Sequence, residues 1–228
     1  MKWELEPLGY LASCYQEKFA IPRQPGLAPS ARASLKLLAP YNQAAMVDGL
    51  EAFSHLWLTF LFHQNLEQGW KPKVRPPRLG GNKKIGVFAS RSTFRPNGLG
   101  LSVVRLESID TRQGVTLELS GIDLVEGTPV VDIKPYLPWV DAVPAARADW
   151  APAAPEDVEV SFSNQAEEKL REDSQGDYLR QLIREVLQQN PRPAYQKIDP
   201  ERDYGVRLAG HNVKFRYLNE QHLQVIAL

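Results

Sequence analysis

The amino-acid sequence predicts a mainly β protein, a barrel or a sandwich, followed by a small α+β C-terminal domain. Short strand-like runs separated by turn residues recur in the first part of the chain, with little helix between them. An amphipathic helical pattern follows an Ala- and Pro-rich stretch, RADWAPAAPED, which is typical of a linker. We therefore expect domains at residues 1–145 and 156–228, joined by a linker at residues 146–155. Strands and long helices do not alternate, so a doubly wound sheet is not favoured.

The strands of the first domain are predicted from apolar runs that turn residues interrupt. Residues 1–20 are expected to form a strand and its exit, and Pro22–Gly26 a turn, because two prolines and a glycine oppose regular pairing. HLWLTFLF, residues 55–62, predicts a buried strand, preceded by a short helix that contains Gly49. Trp70–Lys84 predicts a loop, since it holds three prolines and two glycines. Further strands are expected at IGVFAS, LSVVRL, VTLEL and PVVDI.

The second domain combines one helical pattern with short strands. Asn164–Asn190 predicts a helix that the NPRP sequence ends. Its apolar face is formed by Leu179, Leu182, Ile183, Val186 and Leu187. Strands are expected near Tyr204–Leu208, Val213–Leu218 and Leu223–Ala227.

Composition and charge limit the classes of function. The single cysteine, Cys14, excludes an internal disulfide and a cysteine-rich zinc site, and it fits a reducing compartment. No apolar signal sequence is visible, and the longest apolar run, AFSHLWLTFLF, is too short to span a bilayer, so we expect a soluble, cytoplasmic protein. His55 and His63 have no Cys or paired acid beside them, so no metal site is expected.

The net charge is zero, but Lys71–Arg105 contains nine Lys or Arg and no Asp or Glu. This segment indicates either a local anion-binding face or a solvated basic loop. Within it, RSTFRPNGLG combines Arg91 and Arg95 with turn residues, which suits either a site for carboxylate or phosphate, or a tight turn with two solvated arginines. In VDIKP, Asp132 and Lys134 are expected to share one strand face, as a surface ion pair or as a polar site.

Linked motifs along nearly the whole chain resemble the TsaA/TrmO family of tRNA methyltransferases. They are EKFAIPRQPG, APYNQ, GLEAFSHLWLTFLFHQ, RPPRLGG, GVFASRSTFRPNGLGLSVV, GIDLVEGTPVVDIKPYLPWVDAVP and NPRPAYQK. The resemblance implies a small non-Rossmann β-barrel that binds S-adenosylmethionine. It also implies a homodimer that methylates N6 of threonylcarbamoyladenosine next to the tRNA anticodon. This chain has Gly98-Leu99 where many members of the family have Pro-Ile.

The resemblance also implies the cofactor-binding residues. They are Arg23, Gln24 and Pro25, His63 and Gln64, Arg91, Leu101, and Asp132, Ile133 and Lys134. Asp132 is the candidate general base toward N6, and the competing interpretation is that it holds the cofactor ribose. Arg95, with Lys18 as second choice, is expected to bind the threonine carboxylate of the substrate base. Trp57, Phe60 and Phe62 are interpreted as core residues.

Two other functions compete with this one. The chain could be a non-catalytic tRNA-binding module that uses the basic segment. It could also be a methyltransferase that acts on another RNA or on a small molecule.

Overall fold

The structure is a computed structural model that describes residues 4–79, 83–192 and 196–228. The chain forms two compact units, and neither is one continuous stretch of sequence. The barrel unit contains residues 1–12, 33–119 and 127–154. The mixed unit contains residues 13–32, 120–126 and 155–228. The segment 13–32, which precedes most of the barrel in sequence, therefore folds with the C-terminal residues.

A closed six-stranded barrel confirms the barrel alternative and leaves no free sheet edge around its circumference. Its strands are β1 (Gly9–Ser13), β2 (Arg32–Leu37), β3 (His55–Leu61), β6 (Leu99–Asp110), β7 (Thr116–Ser120) and β8 (Pro129–Pro135), in the order β1-β2-β7-β6-β3-β8. Two short strands, β4 (Lys73–Val74) and β5 (Ile85–Gly86), pair outside the barrel, and a short helix, α1 (Pro138–Asp141), follows β8.

In strand β3, every second side chain is buried in the barrel interior. Leu56, Leu58 and Phe60 are buried, whereas Trp57 and Thr59 between them are half-buried on the outer face. The run is therefore buried on one face only. The core interpretation is confirmed for Phe60 and is wrong for Trp57, which lies on the outer face.

Other parts of the barrel unit differ from the sequence prediction for local reasons. The helix expected before β3 is two 3₁₀ turns, Ala44–Met46 and Leu50–Ala52, because Gly49 between them has φ +80°. Trp70–Lys84 is not entirely a loop, since β4 within it pairs with β5. IGVFAS is a strand only over β5, and a 3₁₀ turn follows at Val87–Ala89. Residues 80–82 of that stretch lie outside the described residues.

The mixed unit contains a four-stranded sheet and two helices. The strands β9 (Glu159–Phe162), β10 (Asp203–Leu208), β11 (His211–Asn219) and β12 (His222–Ala227) lie in the order β10-β11-β12-β9, with β9 parallel to β12. The expected single helix is two, α2 (Asn164–Glu172) and α3 (Gly176–Leu187). A Cβ at Gly176 would lie 1.7 Å from the Leu170 carbonyl oxygen, so this glycine permits the close turn between the helices. The five predicted apolar residues of α3 are all buried.

Candidate functional site

Three adjacent barrel strands place two predicted site residues side by side on the outer face, at one level, meaning one row of paired residues across the strands. Thr59 of β3 pairs with Leu101 of β6 on one side and with Asp132 of β8 on the other. Residues directly opposite each other across a sheet point to the same face, with Cβ atoms about 5 Å apart. Leu101 and Asp132 are both exposed. An apolar side chain and a carboxylate therefore flank a threonine hydroxyl on this surface.

The next level of the same face carries a cation beside an indole. Trp57 pairs with Lys134 of β8, and Lys134 is exposed. Ile133 lies between the two polar residues and pairs with the buried Leu58, so its side chain points to the inner face. The predicted alternation of Asp132 and Lys134 with Ile133 is thus observed. A ligand on the outer face can reach Ile133 only through its backbone.

A β-bulge lies directly beside Asp132. Thr59 pairs with Asp132, but the next residue, Phe60, pairs with Val130, so Val131 is an additional residue in β8. Bulges increase local twist and change the direction in which neighbouring side chains point. The direction in which the Asp132 carboxylate points therefore depends on the bulge and not only on the regular alternation of the strand.

The two glycines of RSTFRPNGLG are required by the backbone conformation at Gly98 and by the packing at Gly100. Gly98 has φ +62° and ends a turn in which its N–H donates to the Arg95 carbonyl at 3.0 Å. A Cβ at Gly100 would lie 2.3 Å from the ring of Phe60 and 2.9 Å from that of Phe62. These two rings pack edge to face over the glycine, with centroids 5.1 Å apart. The glycine at residue 100 therefore accommodates aromatic packing rather than a ligand.

The arginines of this loop have different surroundings. Arg95 is partly buried, and its Nη1 donates to the carbonyls of Ser90 at 2.8 Å and Val87 at 3.4 Å. Its guanidinium carbon also lies 5.9 Å from the ring centre of Phe88. Arg91 is exposed in the loop before β6. Arg95 thus holds the loop through one amino group, and Arg91 lies at an exposed position of the same loop.

His63 and Gln64 begin the 3₁₀ helix His63–Gln68 directly after β3. The N–H of Phe62 donates to the Gly98 carbonyl at 2.8 Å, which extends the β3–β6 pairing to this point. The start of the 3₁₀ helix is therefore held next to the turn that carries Gly98.

Asp141 is a functional-site neighbour that the sequence did not single out. Its Oδ2 accepts hydrogen bonds from Trp57 Nε1 at 3.0 Å and from the Leu137 N–H at 2.8 Å. Tyr136 packs on the same indole, with ring centroids 5.9 Å apart. Asp141 thereby fixes the orientation of Trp57 on the outer face. No local sequence pattern predicts the contact between Trp57 and Asp141, because it depends on where the chain after β8 places α1.

Most cations of the basic segment are exposed in the described residues. They are Lys71, Lys73, Arg75, Lys83, Lys84, Arg91 and Arg105. Lys71 Nζ lies 3.7 Å from the ring centre of Phe94, and Arg105 pairs with Glu107 at 3.2 Å. The segment is a solvated basic surface on the barrel unit.

The remaining predicted residues belong to the mixed unit. Arg23, Gln24 and Pro25 lie in the connection between β1 and β2, where Arg23 is exposed and the other two are half-buried. Arg23 and Lys18 line a cavity of about 250 Å³, together with Val186 and Gln189. The cavity therefore combines two cations with an apolar wall and an amide.

One further group, the Cys14 thiol, bears on the chemistry available. Cys14 is buried, and burial raises the pKa of its thiol to about 11, which keeps it protonated and unreactive at neutral pH.

Over residues 4–79, 83–192 and 196–228, no group of three or more His, Cys, Asp or Glu is arranged to hold a metal ion. The helices in the same ranges are all too short or too polar to cross a membrane.

The fold is that of a β-barrel protein outside the doubly wound class, with a polar outer face on three neighbouring strands. Residues 10–142 match the tRNA-methyltransferase O N-terminal domain, and residues 155–228 match the TrmO C-terminal domain. The chain belongs to the tRNA-methyltransferase O family and is an enzyme of that class.

Similar proteins agree with this assignment. The chain is 51% identical over 230 residues to the tRNA (adenine(37)-N6)-methyltransferase of Escherichia coli K12, covering 99% of this chain and 97% of that one. It is 53% identical, with the same coverage, to a Pseudomonas aeruginosa protein named as an S-adenosylmethionine-dependent methyltransferase, RcsF. A crystal structure of TrmO superimposes with a TM-score of 0.83 at 46% identity, covering 100% of this chain and 99% of that one. A TrmO structure from Pseudomonas aeruginosa gives 0.81 at 44% identity, covering 100% and 98%.

Proposed function

We propose that the protein transfers a methyl group from S-adenosylmethionine to N6 of threonylcarbamoyladenosine next to the anticodon of tRNA. The names of the relatives support the cofactor, the tRNA and the adenine N6 position. The observation that carries the proposal is the outer-face pairing of Leu101, Thr59 and Asp132, with Lys134 on the next level. The threonylcarbamoyl group is implied by the family resemblance described above.

The donor set of this face fits S-adenosylmethionine. That molecule carries ribose hydroxyls, an adenine, an ammonium and a carboxylate, and its sulfonium supplies an activated methyl group. Asp132 can accept from the hydroxyls or the ammonium, and Lys134 can bind the carboxylate. The exposed Leu101 side chain offers apolar area to a base. His63, Gln64 and Arg91 are further proposed cofactor contacts.

The Arg23–Pro25 loop and Ile133 are the remaining proposed cofactor contacts. Arg23, Gln24 and Pro25 form an exposed to half-buried loop, as a ligand-binding loop requires. Ile133 is assigned through its backbone N–H or carbonyl, since its side chain points inward.

Asp132 has two possible roles in the reaction. N6 of the substrate is a poor nucleophile, because its lone pair is delocalised into the purine and the urea-like carbonyl. A carboxylate beside it can orient the N–H and accept the proton as the methyl group transfers. The alternative is that Asp132 holds the ribose hydroxyls of the cofactor. Its exposure and its position beside a bulge leave both roles open to it.

The threonine carboxylate of the substrate needs a cation. Arg95 is the first candidate, and its bracing bonds through Nη1 leave the guanidinium fixed in direction. Lys18 is the second candidate, and it lines the cavity with Arg23. The tRNA phosphates are assigned to the solvated basic surface of Lys71–Arg105.

A homodimer and a cytoplasmic location belong to the same proposal. The short helix α1 and the residues after it expose large apolar side chains, with Trp139 82% and Val143 64% exposed. Contiguous exposed apolar residues are typical of protein–protein contact surfaces. We expect analytical ultracentrifugation to show a dimer, and a Trp139→Ser variant to shift it toward monomer.

The deciding experiment measures methyl transfer from labelled S-adenosylmethionine to two tRNA preparations. One comes from cells that make threonylcarbamoyladenosine and the other from cells that cannot make it. We expect label in the first only. Label in both would retain the methyltransferase but refute the carboxylate requirement. Tight tRNA binding without cofactor binding would instead support the non-catalytic module.

A further inference from the structure

The loop that carries Arg23, Gln24 and Pro25 is part of segment 13–32, which folds within the mixed unit. Its contacts inside that unit determine its conformation, because the loop has no strand or helix of its own between β1 and β2. These contacts fall into two groups, one before Arg23 and one after Pro25.

The first group joins the segment to the C-terminal sheet. Tyr15 forms an antiparallel bridge with Leu208 of β10, and the Ala209 N–H donates to the Cys14 carbonyl at 2.8 Å. The rings of Phe19 and Phe215 stack with centroids 6.5 Å apart. These residues lie upstream of the loop and hold its N-terminal end.

The second group joins the segment to helix α3 through one carboxylate. Glu185 Oε2 accepts the Ser30 N–H at 2.7 Å, and its Oε1 accepts the Ser30 hydroxyl at 3.0 Å. Gln181, one turn earlier on the same helix, donates to Oε1 at 2.7 Å. Arg32 lies over the ring of Tyr178, 4.4 Å from its centre, and so the chain is also fixed just after Ser30.

Glu185 is placed unusually for a glutamate. Only 7% of it is exposed, and the other buried side chains of this helix are those of leucine, isoleucine and valine. Burying a carboxylate is costly unless hydrogen bonds compensate for the lost water, and here the Ser30 N–H, the Ser30 hydroxyl and the Gln181 amide donate to it, all of them uncharged. Two of these three bonds hold a single loop residue, Ser30. A buried carboxylate aimed at one loop residue indicates that the position of that residue matters.

The loop needs such support. Ala20, three residues before Arg23, is a non-glycine residue at φ +64°, a conformation that persists only where the surroundings hold it. Gly26 is fixed by its N–H, which donates to the Gly121 carbonyl at 2.8 Å. Val186, which follows Glu185 on α3, lines the same cavity as Arg23. The loop is thus held at both ends and rests against the helix that carries Glu185.

We propose that Glu185 is a positioning residue for cofactor binding: by binding Ser30 it keeps the Arg23–Pro25 loop in its binding-competent conformation. This inference rests on the proposed function, which assigns that loop to S-adenosylmethionine. It gives the C-terminal residues 155–228 a role in the affinity for the cofactor rather than in the chemical step. When only a fraction of the molecules has the competent loop, the apparent dissociation constant rises by the reciprocal of that fraction.

The test compares full-length variants by S-adenosylmethionine titration calorimetry and by steady-state kinetics. Glu185→Ala is expected to raise the Kd and KM for S-adenosylmethionine roughly tenfold, equivalent to about 1.4 kcal/mol, while kcat at saturating cofactor stays within about twofold. Glu185→Gln keeps a carbonyl for the Ser30 N–H and offers an amide to the Ser30 hydroxyl, and Gln181 can turn its own carbonyl toward that amide, so this variant should restore near-normal Kd. Ser30→Ala removes one bond and should give an intermediate Kd.

The controls separate positioning from stability and from the function itself. Glu168→Ala removes an exposed glutamate of α2 and should leave Kd unchanged. If Glu185→Ala merely unfolds part of the sample, kcat falls while KM stays constant, and the proposal is refuted. If Arg23→Ala weakens cofactor binding but Glu185→Ala and Ser30→Ala do not, Glu185 has no positioning role although the loop binds the cofactor. If Arg23→Ala has no effect, the loop assignment and this inference fail together. If the unaltered protein binds no S-adenosylmethionine, the proposed function itself fails.

Discussion

Trp57 and Asp141 are joined by a hydrogen bond from Nε1 to Oδ2 at 3.0 Å, across 84 positions of sequence. The same oxygen accepts the Leu137 N–H at 2.8 Å, so one carboxylate holds both the indole and the start of α1. The indole lies on the outer barrel face, one level from Asp132.

Replacing Asp141 with alanine should destabilise this part of the barrel unit. Hydrogen bonds to a charged group contribute about 1.5–3 kcal/mol, and the site is partly buried. We expect a decrease in unfolding free energy of about 2 kcal/mol, seen as a Tm lower by roughly 4–8 °C and an altered indole emission. Asp141→Asn keeps a carbonyl acceptor and should retain most of the stability. Equal effects of Asp141→Ala and of the exposed control Asp149→Ala would contradict this.

Asp132→Asn should lower methyl transfer by roughly 10²–10⁴-fold if the carboxylate accepts the N6 proton. In that case the Kd for S-adenosylmethionine changes little, because an amide still occupies the site. If the carboxylate holds the ribose instead, Kd rises and kcat is largely kept. Single-turnover rates and calorimetric Kd values on the same variant distinguish the two roles.

The Gly100→Ala variant should be destabilised because the added Cβ would lie 2.3 Å from the Phe60 ring. Overpacking of this kind typically costs about 1–3 kcal/mol. Gly86→Ala is the matched control, since nothing lies within 4 Å of a Cβ there and its φ is −61°. Urea denaturation of both variants measures the difference. Equal stability would mean that the two rings move aside at no cost.

The affinity for tRNA should fall steeply with salt if the basic surface contacts phosphates. Each neutralised phosphate contributes close to one unit to the slope of log K against log salt concentration. Lys83→Gln with Lys84→Gln should therefore reduce that slope by about 1–2. Lys214→Gln, an exposed lysine of β11, serves as the control. An unchanged slope in the double variant would remove these two lysines from the tRNA surface.

Stability should fall between about pH 9 and pH 11 because of Cys14. Burial raises the pKa of its thiol from 9.0 to about 11. In this window the thiol of the unfolded chain has lost its proton while the folded one keeps it, so rising pH favours unfolding. The loss approaches about 2.7 kcal/mol above pH 11, at 1.36 kcal/mol per pKa unit. Unfolding free energies of the unaltered protein and Cys14→Ala, measured across this range, should diverge, and parallel curves would refute the assignment.

Local patterns in the sequence predict much of the fold. The alternation in β8 predicts that Asp132 and Lys134 share a face, and the apolar positions of α3 predict its buried side. β2 was missed although Ala33, Leu35 and Leu37 alternate with polar residues and are all buried. That alternation was the available signal. β9 is only four residues long and has no clear alternation to detect.

The site was harder to predict because it depends on pairing between distant strands. No local pattern places Thr59 between Leu101 and Asp132, since register is decided by packing of three separate strands. The glycines in RSTFRPNGLG suggest open backbone, but the space beside Gly100 is filled by Phe60 and Phe62. The residues Glu185 and Ser30 are 155 positions apart, and no local sequence pattern around either of them predicts their contact.

The bridge between Tyr15 and Leu208 has a consequence for synthesis. Residues 13–32 are translated well before their partners in the mixed unit, residues 120–126 and 155–228. The nascent chain therefore carries Tyr15 and Phe19 without Leu208 and Phe215, their partners in the sheet, until those residues have been translated. A ribosome that stalls before codon 208 leaves the mixed unit unfinished, however well the upstream strands have folded.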